Sequence, residues 1–142
     1  MNSYKIEKIK TLKELYSSYE VYKFIYPEMT QDEFEANVKW MFQNGIHFIC
    51  VKQNKKIIAS CCYWEGIRLH SGKFLQIDSL IVHPKKQKSG IGKQIIKYLE
   101  DLAEKQGAKY YVLDVYTENH PAIKLYAKDD FKLRGYHIMK AL

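Results

Sequence analysis

A chain of 142 residues carrying a formal net charge of +7 is long enough to bury one core, and a single domain over residues 1–142 is expected. Apolar content of 46% and charged content of 27% are those of a globular protein and exclude a low-complexity chain, while the charge points to an anionic partner without naming it. No run approaches a membrane span, and the opening Met1–Glu7 lacks the apolar core of a signal peptide, so a cytoplasmic protein without membrane contact is expected.

Tyr4 to Ile9 alternates weakly and reads as a first strand. Thr11 and Glu14 have capping-box spacing, and Leu12, Leu15, Tyr16, Tyr19, Tyr22 and Tyr26 then follow at helical intervals until Pro27. Thr30 and Glu33 repeat the device ahead of Phe34, Val38, Met41 and Phe42, and Gly45 ends that helix. His47–Val51 and Lys56–Trp64 form a hairpin across the polar stretch 52–55, and Ser71-Gly72 mark the next turn. Phe74–Val82 is almost continuously apolar and reads as a central strand buried on both faces. Ile91, Ile95, Leu99 and Leu102 define a helix ending at Gly107, and Tyr110–Tyr116 a second buried strand. Strand, loop, helix and strand make a right-handed βαβ crossover with parallel strands. Asn119-His120-Pro121 opens a helix to about Lys128, and Phe131–Leu142 reads as one or two closing strands. The fold class is α/β with a mixed sheet.

Cys50, Cys61 and Cys62 are an odd number in apolar runs, with no CxxC pair, so reduced buried thiols are expected and no metal site. The chemistry gathers instead in "HPKKQKSGIGKQIIKYLE", His83 to Glu100. A glycine loop entering a helix offers free N–H groups at the positive end of the helix dipole, which suits phosphate. A nucleoside-triphosphate loop needs GxxxxGK and then Ser or Thr; Gln87 stands at the first glycine and Gln94 after the lysine. A dinucleotide loop needs GxGxxG, and the third glycine position is Ile95.

"QKSGIG", Gln87 to Gly92, resembles the Q/R-x-x-G-x-G/A loop of the GNAT superfamily of N-acetyltransferases. "LIVHPKKQKSGIGKQIIKYLE" is similar to that family's strand, loop and helix, and "NHPAIKLYAKDDF" to its later Asn…Ala…Leu-Tyr…Gly-Phe segment. The motifs cover Phe74 to Phe131, and residues 1–73 agree in the order of elements only. Two departures stand out: Asp130 replaces the usual glycine before the late Phe, and Ala59 or Ser60 a glycine often found in the hairpin.

The resemblance implies the order β-α-α-β-β-β-α-β-α-β-β with a splayed central parallel pair. It also implies acetyl-CoA as co-substrate, an amine acceptor and no metal. Lys88, Ser89, Gly90, Ile91, Gly92 and Lys93, with Gln87, would cradle the pyrophosphate, with nearby lysines at the 3′-phosphate. Leu80, Ile81 and Val82 would offer backbone groups to the pantetheine arm. Asp78, a carboxylate within an apolar strand, falls where the family often has the Glu that receives the amine's proton; it is otherwise a hydrogen-bonded structural Asp. Asp114 is its rival. Tyr126 matches the tyrosine that protonates the leaving thiolate, against a packed helix tyrosine, and Asn119 the residue that bonds the pantetheine arm, against a helix cap. Other readings of the chain are a basic nucleic-acid-binding module, or a CoA-binding protein of this fold without catalysis. A homodimer is left open.

Overall fold

The computed structural model describes residues 3–142. Strand β1 (Ile6–Lys8) leads to helices α1 (Leu12–Ser17), α2 (Tyr19–Tyr22) and α3 (Gln31–Gln43). Strands β2 (His47–Gln53), β3 (Lys56–Arg68) and β4 (Gly72–Val82) follow, then helix α4 (Ile91–Lys105), β5 (Tyr110–Leu113) and α5 (His120–Lys128). The architecture is mixed α/β around one five-stranded sheet of order β1-β2-β3-β4-β5. No helix among the described residues is long and apolar enough to cross a membrane.

Helix ends follow their local chemistry. At α3 the Thr30 hydroxyl accepts from Glu33 N–H while the Glu33 carboxylate accepts from Thr30 N–H at 2.8 Å, a closed capping box. At α1 only half of the expected box forms: Thr11 accepts from Glu14 N–H, but the Glu14 carboxylate takes Lys52 Nζ at 2.9 Å instead. The single long helix expected from Leu12 to Tyr26 is broken at buried Ser18, whose hydroxyl bonds the Leu15 carbonyl. That local bond competes with the helical ladder, which resumes as separate turns through Tyr26.

β1 to β4 are antiparallel neighbours. Helix α4 crosses over to β5, and Lys109 N–H donates to the Lys73 carbonyl at 2.8 Å, which sets the starts of β4 and β5 side by side. β5 has four residues against eleven in β4, so the second half of β4 runs past it. One sheet face carries α1 to α3 over Phe48, Cys50, Ile57, Cys62 and Ile81. α4 packs on β3 and β4, burying Ile91, Ile95, Ile96, Leu99 and Ala103. Each of the larger side chains contributes roughly 1.5–3 kcal/mol by leaving water.

The described chain divides into two compact units, one through Val112 and one from Leu113 to Leu142. In the second, β5 ends at Leu113, shorter than the expected Tyr110–Tyr116, and α5 forms as expected. The closing strands expected over Phe131–Leu142 are absent from the described structure: these residues form no ladder, and Leu133, Tyr136, Ile138 and Met139 are exposed. An apolar pattern supplies a strand's face, but only a partner's backbone makes it a strand.

Candidate active site

Gly90 caps α4 with φ +87° and no side chain to fold back on the helix. The first intrahelical bond is Gln94 N–H to the Gly90 carbonyl, so Ile91, Gly92 and Lys93 keep N–H groups that no acceptor among the described residues takes. A left-handed residue followed by helical ones turns successive N–H groups into a concavity for an anion. No acidic residue lies in the first turn of α4. Gly92 has an ordinary backbone, and a Cβ there would meet only Val82, at 3.9 Å; its missing side chain leaves room rather than relieving strain.

The preceding loop is held by its own bonds. Gln87 Nε2 donates to the Val82 carbonyl at 3.3 Å, the Ser89 hydroxyl donates to the Lys86 carbonyl, and Lys85 N–H donates to His83 Nδ1. Gln87 and Ser89 thus fix the loop through their side chains. Lys88 takes φ +64°, and its side chain, like those of Lys85 and Lys93, is exposed. Among the described residues no carboxylate pairs with Lys85, Lys86, Lys88 or Lys93, whereas Lys97 is spent on Asp101 at 3.0 Å and Glu100 at 3.5 Å. Four lysines around the loop, not five, are left without a carboxylate among the described residues.

β4 departs from the expected strand buried on both faces. Phe74 to Ile77 are buried, Asp78 is exposed, and Ser79 and Leu80 are half-buried. The cause is a bulge: Cys62 pairs with Asp78 and Ser60 with Ile81, so two steps on β3 face three on β4, and Ser79 takes φ +51°. Asp78 is therefore not a desolvated carboxylate but one turned to solvent. Ser79 Oγ lies 2.6 Å from Tyr26 Oη and 3.4 Å from Asp78 Oδ1, joining the carboxylate to the end of the first helical segment. The buried Tyr22 hydroxyl likewise meets Ser60 Oγ at 3.1 Å. Beyond the bulge Ile81 enters the core under α1 to α3, while Leu80 and Val82 stay half-buried.

Cys50, Cys61 and Cys62 are buried and free. Burial pushes the Cys50 thiol up to about 11 and raises Cys61 and Cys62 further, the neighbouring negative charge of Asp78 adding to both. Thiols held protonated in this way are poor nucleophiles.

Within the second unit Asn119 caps α5, its Oδ1 accepting from Ala122 N–H at 3.3 Å, which is the helix-cap role. The Tyr126 ring meets Phe131 edge-on, with centroids 5.6 Å apart. Asp114, the rival carboxylate, has Oδ2 3.3 Å from His137 Nδ1.

The sequence model of the "Acetyltransferase (GNAT) family" matches residues 10–131. The chain belongs to the GNAT acetyltransferases. A relative from Salmonella typhimurium (strain LT2), aminoalkylphosphonate N-acetyltransferase, is 23% identical over 113 residues, covering 79% of this chain and 71% of its own length. Among solved structures, AAC(6′)-Iy in complex with a bisubstrate analog of CoA superposes with TM-score 0.82 at 15% identity over 99% of both chains. Glucosamine-6-phosphate N-acetyltransferase from Arabidopsis thaliana gives 0.75 at 18% identity, again over 99% of each. The mixed α/β fold thus matches that of solved acetyltransferases.

Two residues beside Asp78 were not singled out in sequence. Ser79 reads as an ordinary strand serine and Tyr26 as the end of a helical stripe, and only the bulge joins them.

Proposed function

We propose that this GNAT chain is an N-acetyltransferase that moves an acetyl group from acetyl-CoA to a primary amine of a small molecule or peptide, by direct attack in a ternary complex. The observation that carries this reading is the uncapped start of α4, with three free N–H groups, a left-handed glycine and four uncompensated lysines. That cradle fits a pyrophosphate in donor chemistry and in sign.

Acetyl-CoA supplies an activated acetyl thioester. Lys88, Ser89, Gly90, Ile91, Gly92 and Lys93 bind its pyrophosphate, with Gln87 bracing the loop and the lysines neutralising charge. The backbone of Leu80, Ile81 and Val82, on the part of β4 that outruns β5, takes the pantetheine arm. Asp78 receives the amine's proton, directly or through water, and its exposure leaves it open to an incoming acceptor. By family resemblance Tyr126 protonates the departing thiolate and Asn119 adjoins the arm. The family match across both units supports that reading. The acceptor class named for the Salmonella relative, aminoalkylphosphonates, belongs in the first amine screen.

Acetyl-CoA at micromolar concentration should raise the melting temperature; no shift even at millimolar concentration would overturn the proposal. With a substrate in hand, Tyr126→Phe should lower kcat on the order of tenfold or more with acetyl-CoA affinity retained. An unchanged rate would remove its role as acid.

A further inference from the structure

Between Cys62 and Arg68 the β3–β4 ladder runs unbroken, with Cys62 opposite Asp78, Trp64 opposite Gln76, Gly66 opposite Phe74 and Arg68 opposite Gly72. Paired residues point to the same side of a sheet and alternate along it. Trp64, Arg68, Phe74 and Gln76 therefore share the face of Asp78, the face that Cys62 contributes to the core under α1 to α3.

These side chains form a built platform. The Phe74 ring lies where a side chain at position 66 would stand: a Cβ on Gly66 would come within 2.9 Å of the ring. Trp64 closes one side edge-on, with centroids 5.0 Å apart. The Arg68 guanidinium stacks over Phe74 at 4.1 Å and donates through Nη2 to Gln76 Oε1 at 3.0 Å, and Gln76 is itself only 8% exposed. Among the described residues no carboxylate pairs with Arg68. The guanidinium is thus oriented by stacking and one hydrogen bond, while its charge and other donors stay uncompensated. A lysine could not be fixed this way, because only the planar fork both stacks and presents parallel donors.

Gln76 and Asp78 are two residues apart on one strand face, roughly 7 Å. A cation oriented at Gln76 and a carboxylate at Asp78 match a short molecule that carries an anion at one end and an amine at the other. We infer that Arg68 is the acceptor-specificity residue, binding the carboxylate or phosphonate of a short zwitterionic amine whose nitrogen reaches Asp78. This rests on the acetyltransferase reading above and names its substrate class.

The test compares 3-aminopropanoate, 2-aminoethylphosphonate and propylamine with wild-type protein and Arg68→Met, which keeps an apolar stem over Phe74 without charge. Thiol release should favour at least one anionic amine over propylamine by on the order of tenfold or more in kcat/KM, chiefly through KM. Arg68→Met should collapse that preference, Arg68→Lys should restore part of it, and acetyl-CoA affinity should be unchanged in both. Which anionic amine wins separates a carboxylate from a phosphonate site. Equal use of charged and uncharged amines, or a preference that survives Arg68→Met, overturns the assignment. A nuclear magnetic resonance titration of the same amines into protein alone gives the same comparison without acetyl-CoA. Failure of acetyl-CoA to bind would overturn the parent reading, and the titration would still decide on Arg68.

Discussion

Two helices of this chain begin in opposite ways. α3 opens on Thr30 and Glu33, each satisfying the other's N–H, with Asp32 and Glu33 both acidic in the first turn. α4 opens on Gly90, with no side-chain cap and no acid in its first turn, behind a run of lysines. Both ends carry the same orphan N–H groups and the same positive dipole. α3 uses its own side chains to satisfy and neutralise them, which favours stability. α4 leaves them for something else, and a helix of fifteen residues with five buried side chains can tolerate that loss. An end left open on an otherwise well-packed helix is where a ligand, rather than the fold, supplies the missing acceptor.

The largest expected effect comes from closing the open end. Gly90→Glu puts a carboxylate and a Cβ into a position with φ +87° and should lower acetyl-CoA affinity on the order of a hundredfold or more, read as loss of the ligand-induced melting shift. Gly90→Asn separates strain from charge, since Asn accepts left-handed backbone: it should stay folded and lose less affinity. Retained affinity in Gly90→Glu would place the anion site elsewhere. The converse change at α3, Thr30→Ala, should cost about 1 kcal/mol of stability by denaturant unfolding and leave acetyl-CoA affinity untouched. If Thr30→Ala weakened acetyl-CoA binding as well, the two ends would not be the independent devices described here.

This contrast was legible in sequence because a cap, a glycine and an apolar period are written in consecutive residues. Gly90, the Thr30 box, the stripe of α4 and the β2–β3 hairpin all come from such local signals, and the motif order gave the fold. What escaped depends on which strand edge meets which. The bulge at Ser79 exists only because Ser60 and Cys62 pair across it, so Asp78 reads as buried in sequence and stands exposed in the structure. The Glu14 carboxylate left its expected box for Lys52, a residue 38 positions away. Arg68 falls in residues 67–73, which read in sequence as a connection, and only the β3–β4 ladder sets it beside Gln76. The tail after Phe131 has a strand's composition without a strand's partner.

The smallest effect tests the closed end through its proton. Two hydrogen bonds from Thr30, first the backbone N–H and then the hydroxyl, hold the Glu33 carboxyl below its ordinary value of 4.5. A carboxyl whose value is lowered on folding stabilises the native state above its unfolded value, and that contribution fades as pH falls through the folded value. Glu33→Gln should therefore melt slightly below wild type near neutral pH, and the gap should close on acidification below 4.5. Other depressed carboxyls, such as Glu7 beside Lys5, are common to both proteins and cancel in the difference. A gap of constant size across the titration would show that the Glu33 charge contributes nothing and that the box holds by hydrogen-bond geometry alone. At α4 the same titration has no counterpart, because no acidic residue sits in its first turn.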